Sequence, residues 1–358
     1  MKEQLDRQLA GRLSELRTAM GRASADALLV TTPANVRWLT GFSTPEDGRV
    51  LITASEALLL TDFRYDVQAN QESALPVLIT QDWQAEVVRL TGNGMLAIEA
   101  DHLTVAVKEQ LDSRLGETTI ALQDVFREQR MRKADFEIEL LREAAAITDR
   151  AFEHILGFMK PGLRELDVAL ELSRFMRDAG AEGDSFDIIV AGGERSAMPH
   201  GVASDRVLQT GDLVTMDFGA NYRGYHADMT RAVALGPIDG RLEFMYQAVL
   251  EALLTAREVL RPGLAGREVD AAARAVLQKH GLAERFTHSL GHGTGLVIHE
   301  EPRLSSRSDT VLEPGMVVTV EPGVYENGFG GVRIEDMCVL TEDGHETLSH
   351  SPRELITL

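Results

Sequence analysis

Cysteine is almost absent from this chain of 358 residues: Cys338 is the only one. No intrachain disulfide can form, and nothing points to an oxidising compartment. Within the run Asp336–Leu340 it reads as a small apolar strand residue. Positive charge is scarce too, with 36 Lys and Arg against 56 Asp and Glu and a net charge of -20. Phosphate contact needs clustered Lys and Arg, so nucleic acid and anionic membrane surfaces are not expected partners. The acidic surface serves solubility and is compatible with drawing in cations. Long apolar runs are missing; none approaches the roughly 18–20 residues that span a bilayer. Met1–Met20 sets Leu5, Leu9, Leu13 and Leu16 among charges, which predicts an amphipathic helix rather than a signal peptide. The cytoplasm is the expected location. What remains is an ordinary globular composition, 44% apolar, 26% charged and 5% aromatic, in a chain long enough for two domains.

The expected domains are 1–124 and 125–358. In the first, Ala27–Val30, Val50–Thr53, Ala57–Leu60, Val77–Thr80, Met95–Ile98 and Thr118–Leu122 read as strands. Helical patterns at Arg64–Gln71, Trp83–Leu90 and Val105–Leu115 separate several of them, giving a small α/β domain. The charged stretch Arg127–Lys133 precedes a long helical run from Ala134 to about Met159. The rest holds an internal duplication. Lys160-Pro-Gly-Leu and Arg261-Pro-Gly-Leu each open a helix. Thr210-Gly-Asp-Leu-Val-Thr-Met-Asp217 is echoed by Pro314-Gly-Met-Val-Val-Thr-Val-Glu321. Each half reads as helix, helix, then a β-hairpin carrying acids, so two halves packed face to face bring their acids to a pseudo-two-fold axis.

The acids come in pairs. If Tyr222 and Arg223 are the central turn residues of the first hairpin, Asp217 lies opposite Asp228. Their Cβ atoms are then ~5 Å apart on one face. Folding the second hairpin about Gly328 sets Glu321 against Glu335. Solvated acids on an outer face would be accompanied by Lys or Arg on neighbouring strands, whereas these flanks are Val, Met, Phe, Ile and Gly. Buried carboxylates that close repel unless a proton or a cation compensates them. Four of them are too many for acid–base catalysis alone, which favours a metal over protonation. Gly291-His292-Gly293 supplies a nitrogen ligand, its glycines admitting close backbone approach. Such a donor set suits Mn²⁺, Co²⁺, Fe²⁺ or Zn²⁺ better than Ca²⁺ or Mg²⁺. Five ligands, with bridging carboxylates, suit two ions ~3.5–4 Å apart.

Other reactive residues cluster around this set. His200, His288 and His299 fall in glycine- or proline-marked motifs, whereas the remaining histidines have no such context. His200 and His299 follow corresponding helices of the two repeats. Either could stabilise an oxyanion or protonate a leaving nitrogen. Arg333, two residues before Glu335, could orient the acids or a substrate carboxylate.

These segments resemble the Xaa-Pro peptidase branch of the methionine aminopeptidase/creatinase superfamily. The matching stretches are Met198-Pro-His-Gly201, Asp217-Phe-Gly-Ala, Gly224-Tyr-His-Ala-Asp-Met-Thr-Arg231 and His288-Ser-Leu-Gly-His-Gly-Thr-Gly295. His299-Glu-Glu-Pro302, Gly315–Tyr325 and Gly331-Val-Arg-Ile-Glu-Asp336 continue the series. The resemblance implies a creatinase-like N-terminal α/β domain and an α+β "pita-bread" catalytic domain with a pseudo-two-fold duplication. It implies Asp217, Asp228, His292, Glu321 and Glu335 as ligands of two divalent ions, Mn²⁺ ahead of Co²⁺ or Zn²⁺. It further implies Glu321 as proton acceptor, His200 and His299 at the scissile amide, His288 at the proline pocket, Arg333 behind the ligands, and a homodimer. Ala191-Gly-Gly-Glu-Arg195 departs from the more usual Ser-Gly pair there.

A proline dipeptidase is the leading expectation, and an aminopeptidase P acting on longer Xaa-Pro peptides is its rival. Asp47 and Arg49, in the loop Phe42–Val50, are candidates for holding the substrate ends and limiting length. A metal-free creatinase-like hydrolase or an inactive binding protein would be expected to have lost ligands. Methionine aminopeptidases lack the additional α/β domain.

Overall fold

The computed structural model describes residues 2–116 and 119–358, so Met1 and the Thr118 end of the expected strand Thr118–Leu122 lie outside the described residues. The chain divides into two compact units, Met1–Arg130 and Met131–Leu358. The division falls after Arg130 rather than at 124/125. Phe126 packs edge-on against Trp38, and Arg130 donates to Asn35 Oδ1 at 2.8 Å, which ties this segment to the first unit.

In the first unit, alternating apolar runs form a mixed six-stranded sheet. Its order is Val77–Ile79, Ala57–Thr61, Arg49–Thr53, Ala27–Val30, Leu96–Glu99, Ile120–Leu122. Leu29, Leu51, Leu60, Ile98, Val87 and Leu111 fill the space between sheet and helices. The helix Pro33–Thr40 has no counterpart in the sequence expectations. Pro33 at its start and Gly41 at φ 76° just past its end are the signals that mark it.

The second unit is built twice. Helices Asp135–Phe158 and Glu165–Asp178 cover one sheet, and Gly240–Val259 and Gly266–Lys279 cover the other. Each short helix starts with its third residue's carboxylate accepting from the N-cap backbone. Asp167 takes the Arg164 N–H at 2.9 Å and Glu268 the Ala265 N–H at 2.7 Å. The repeat extends to single hydrogen bonds. Gly162 N–H donates to Leu208 O as Gly263 N–H does to Leu312 O, both at 2.9 Å. Gly211 N–H donates to Leu235 O as Gly315 N–H does to Leu340 O.

The two hairpins differ in how they meet the expected register. In the second, Val320 pairs with Asp336 and Gly323 with Arg333, which brackets Glu321 opposite Glu335. In the first, Tyr222 pairs with Tyr225, so the turn is Arg223-Gly224 rather than Tyr222-Arg223. Arg223 at φ 50° and Gly224 at φ 81° give the doubly left-handed turn whose twist matches the flanking strands. Asp217 therefore pairs with Thr230, not with Asp228. A slip of two residues keeps the face, so Asp217 and Asp228 remain diagonal neighbours on the same side. Gly219 breaks the first strand where a Cβ would stand 1.8 Å from Ala227 O.

Candidate active-site cavity

The duplicated hairpins converge on a cavity of about 400 Å³ in the second unit, whose wall includes all five expected ligands. His200, His288, His299 and Arg333 line it as well. Asp47 and Arg49 belong to the first unit. Asp47 there accepts from Tyr65 Oη at 2.7 Å and from Arg64 Nη2 at 3.1 Å. Arg49 stands on a strand rather than in a loop and donates to Glu46 O and Gly48 O.

His292 sits on the three-residue strand Gly291–Gly293, where both glycines are sterically required. A Cβ at Gly291 would lie 2.0 Å from Thr319 O, and one at Gly293 2.3 Å from Glu301 O. His292 Nδ1 is 3.0 Å from Gly293 O and donates to it. That fixes the tautomer and leaves the Nε2 lone pair inward, 3.3 Å from Glu321 Oε1 and 3.5 Å from Asp228 Oδ2. Burial pushes this imidazole down to about 3, so it is neutral. Three lone-pair donors therefore face one another. One ligating atom each of Asp228, His292 and Glu335 lie within 4.8 Å of one another.

Burial also raises the carboxyls. Glu321 is pushed up to about 8. Asp228 and Glu335 rise well above the ordinary range, first through desolvation and then through the neighbouring acids. Arg333, 3% exposed, is the buried cation of the group. It donates from Nη2 to Asp217 Oδ2 at 2.7 Å, from Nε to Thr230 Oγ1 at 3.0 Å, and from Nη1 to Pro199 O and Tyr325 Oη. It thus contacts Asp217 rather than its strand neighbour Glu335. Tyr325 Oη is 3.0 Å from His288 Nε2, whose Nδ1 is held by Ser289 O. One guanidinium therefore reaches the backbone beside His200 and, through Tyr325, the ring of His288.

A divalent cation fits this donor set. Asp217 Oδ1 and Glu335 Oε1 are buried without a hydrogen-bond partner among the described residues, a costly state for carboxylate oxygens unless a cation takes it up. Oxygen donors with one neutral imidazole are the chemistry that Mn²⁺, Co²⁺ or Zn²⁺ accepts.

The profile of Metallopeptidase family M24 matches residues 139–342. The chain belongs to metallopeptidase family M24. Residues 12–132 of this M24 chain match the Creatinase/Prolidase N-terminal domain. An Xaa-Pro dipeptidase of Pyrococcus furiosus is 38% identical over 96% of this chain and 99% of its own length. The structure of an Xaa-Pro dipeptidase from Bacillus anthracis is similar at TM-score 0.95 and 44% identity, over 98% of this chain and 100% of that one. An X-Pro aminopeptidase structure from Thermotoga maritima gives 0.89 at 37% identity, over 93% and 98%. The M24 chain has the pita-bread fold of such relatives, and the family is one of metal-dependent hydrolases.

Sequence reasoning did not single out Arg303, Asp187 or Phe186, which line the same cavity. Arg303 pairs with His292 across adjacent strands. Its guanidinium has no hydrogen bond or ion pair among the described residues. The strand Glu300–Leu304 was the available signal, because a residue opposite His292 shares its face.

Proposed function

We propose that this M24 chain hydrolyses the Xaa-Pro bond of dipeptides, with Asp217, Asp228, His292, Glu321 and Glu335 holding two divalent cations, Mn²⁺ ahead of Co²⁺ or Zn²⁺. The observation that carries the metal part is the neutral His292 Nε2 aimed at Asp228 and Glu321, in a cluster where Asp217 Oδ1 and Glu335 Oε1 are buried with no hydrogen-bond partner among the described residues. When bound, the cations supply Lewis acidity and a water nucleophile ionised near neutral pH.

The side chains account for the remaining steps. The Glu321 carboxylate takes the proton of the attacking water and returns it to the leaving proline nitrogen. His200 and His299 border the cavity where the scissile amide would lie, and hydrogen bonding from them stabilises the oxyanion as the carbonyl carbon becomes tetrahedral. His288, fixed by Tyr325 and Ser289, borders the proline ring. Arg333 holds Asp217 in place. The unpaired guanidinium of Arg303 offers a partner for the free carboxylate of a dipeptide. Names among the relatives support the dipeptide reading, and that of the Thermotoga maritima protein favours the aminopeptidase alternative. Asp47 and Arg49 remain proposed as length-limiting residues, and homodimer assembly belongs to the same reading.

The test is kcat/KM for Leu-Pro against Leu-Pro-Ala in parent, Arg303→Met and Asp47→Ala proteins, with metal content and sedimentation measured alongside. The expected outcome is a parent that favours Leu-Pro and an Arg303→Met variant that loses that preference. A parent favouring Leu-Pro-Ala would replace the dipeptidase reading with the aminopeptidase one.

A further inference from the structure

The cavity wall carries one acid that the proposed metal cluster does not use. The strand Ile189–Gly192 runs antiparallel to Leu213–Phe218, with Ile189 directly across from Asp217, so Ile189 shares the cavity-facing side. Upstream the alternation continues. Ile188 is buried in the apolar core with Leu208 and Val214, and Asp187 returns to the cavity wall. Asp187 is exposed, whereas Asp217, Asp228 and Glu335 are buried and Glu321 is half-buried. No hydrogen bond or ion pair among the described residues engages it. Phe186, its chain neighbour, and Ile189 and Val202, which are bridged to each other, are apolar members of the same wall.

An apolar strip that ends in an exposed carboxylate matches one kind of side chain. Lys and Arg lay an aliphatic stem along such a surface and keep the charged head in water at its end. The opposite end of the substrate is already provided for, because the unpaired Arg303 suits a carboxylate. We infer that Asp187 is a specificity determinant that favours Lys or Arg at the Xaa position. The inference rests on the Xaa-Pro reading above and deepens it. The chain's net charge of -20 acts in the same direction by raising the local concentration of cationic peptides.

The experiment compares kcat/KM for Arg-Pro, Leu-Pro and Glu-Pro in the parent, Asp187→Asn and Asp187→Lys, at low and at high salt. The pair Arg-Pro-Ala and Leu-Pro-Ala is added so that the readout does not depend on substrate length. A partly exposed ion pair predicts that the Arg to Leu ratio falls about three- to fivefold in Asp187→Asn. The Glu to Leu ratio rises in Asp187→Lys. High salt lowers the Arg to Leu ratio of the parent more than that of Asp187→Asn, which keeps only the attraction due to net charge. An Arg to Leu ratio equal in parent and Asp187→Asn at low salt overturns the role of Asp187 while leaving the peptidase reading intact. A parent that cleaves none of these peptides overturns both.

Discussion

Removing the charge of Glu321 should stabilise the metal-free protein in alkaline solution, although Glu321 belongs to the proposed metal cluster. Burial raises this carboxyl from 4.5 to about 8, with Arg333 opposing the rise and Asp217 adding to it. In the unfolded chain the same group ionises near its ordinary value of ~4.3. Between the two values the folded protein keeps a proton that the unfolded chain has released. Stability is therefore greatest below the unfolded value and is lost as pH rises through the folded one. At about 1.4 kcal/mol per pH unit, the interval is worth roughly 5 kcal/mol. Asp228 and Glu335 are raised in the same direction, so they steepen the loss.

For a unit of this size each kcal/mol moves Tm by about 2–4 °C. Calorimetry on protein dialysed against chelator should show Tm falling by about 10 °C or more from roughly pH 5 to roughly pH 9. Glu321→Gln cannot ionise, so its metal-free form should melt above the metal-free parent at the alkaline end. Parent loaded with Mn²⁺ should melt above both, with a flatter pH dependence, since bound cations replace the protons. A metal-free parent with the same Tm at both ends of the range would refute the reasoning. So would a Glu321→Gln protein that is less stable than the parent in alkaline solution.

Two further perturbations follow from the same geometry. Arg333→Lys keeps the charge but not the planar fork, so it cannot serve Asp217, Thr230, Pro199 and Tyr325 together. Losing two of those bonds should cost about 1–3 kcal/mol in denaturant unfolding. Looser placement of His200 and His288 should lower kcat on the order of 10²-fold, which steady-state kinetics on Leu-Pro measures. Lys133 and Glu300 form an ion pair of 2.8 Å whose side chains are 2% and 12% exposed. Lys133→Met removes this charged partner of Glu300 and should cost about 1–3 kcal/mol. Adding Glu300→Gln should recover part of it, and a double-mutant cycle in urea that shows no coupling would count against the pair.

Much of the site was legible because pairing registers follow from turns. Gly328 at the centre of the second hairpin admits one symmetric fold, and Glu321 and Glu335 come out opposite each other. The first hairpin was harder, because Tyr222-Arg223 and Arg223-Gly224 are adjacent choices. The positive φ at both turn positions decides for the latter, and no local pattern announces that Arg223 accepts one. The error was an even number of residues, so both acids stayed on the right face; an odd one would have sent Asp228 to the other side. Arg303 and Asp187 were hidden for a different reason. Asp187 has no glycine or proline beside it, and Pro302 before Arg303 does not itself mark a site; each acquires meaning only from what stands across the next strand, His292 and Asp217 with Ile189.

The duplication also explains the chemistry by where it fails. Leu235 and Leu340 hold the same place in the two halves, as their matching bonds to Gly211 and Gly315 show. Counting back from them, Thr230 is the counterpart of Glu335, and Asp228 is the counterpart of Arg333. Full symmetry at these positions would place either two more acids or two more hydrogen-bond donors at the axis. The first would crowd the cavity with uncompensated charge, and the second would leave too few ligands. Divergence gives each half what the other needs. Thr230 Oγ1 donates to Glu335 Oε2 at 2.7 Å, and Arg333 Nη2 donates to Asp217 Oδ2 at 2.7 Å. Each acid is thereby anchored through one oxygen, and the oxygens left over, Asp217 Oδ1 and Glu335 Oε1, are the two with no partner among the described residues. One repeat orients the proposed ligands of the other, so a site of this kind requires both halves and tolerates neither in duplicate.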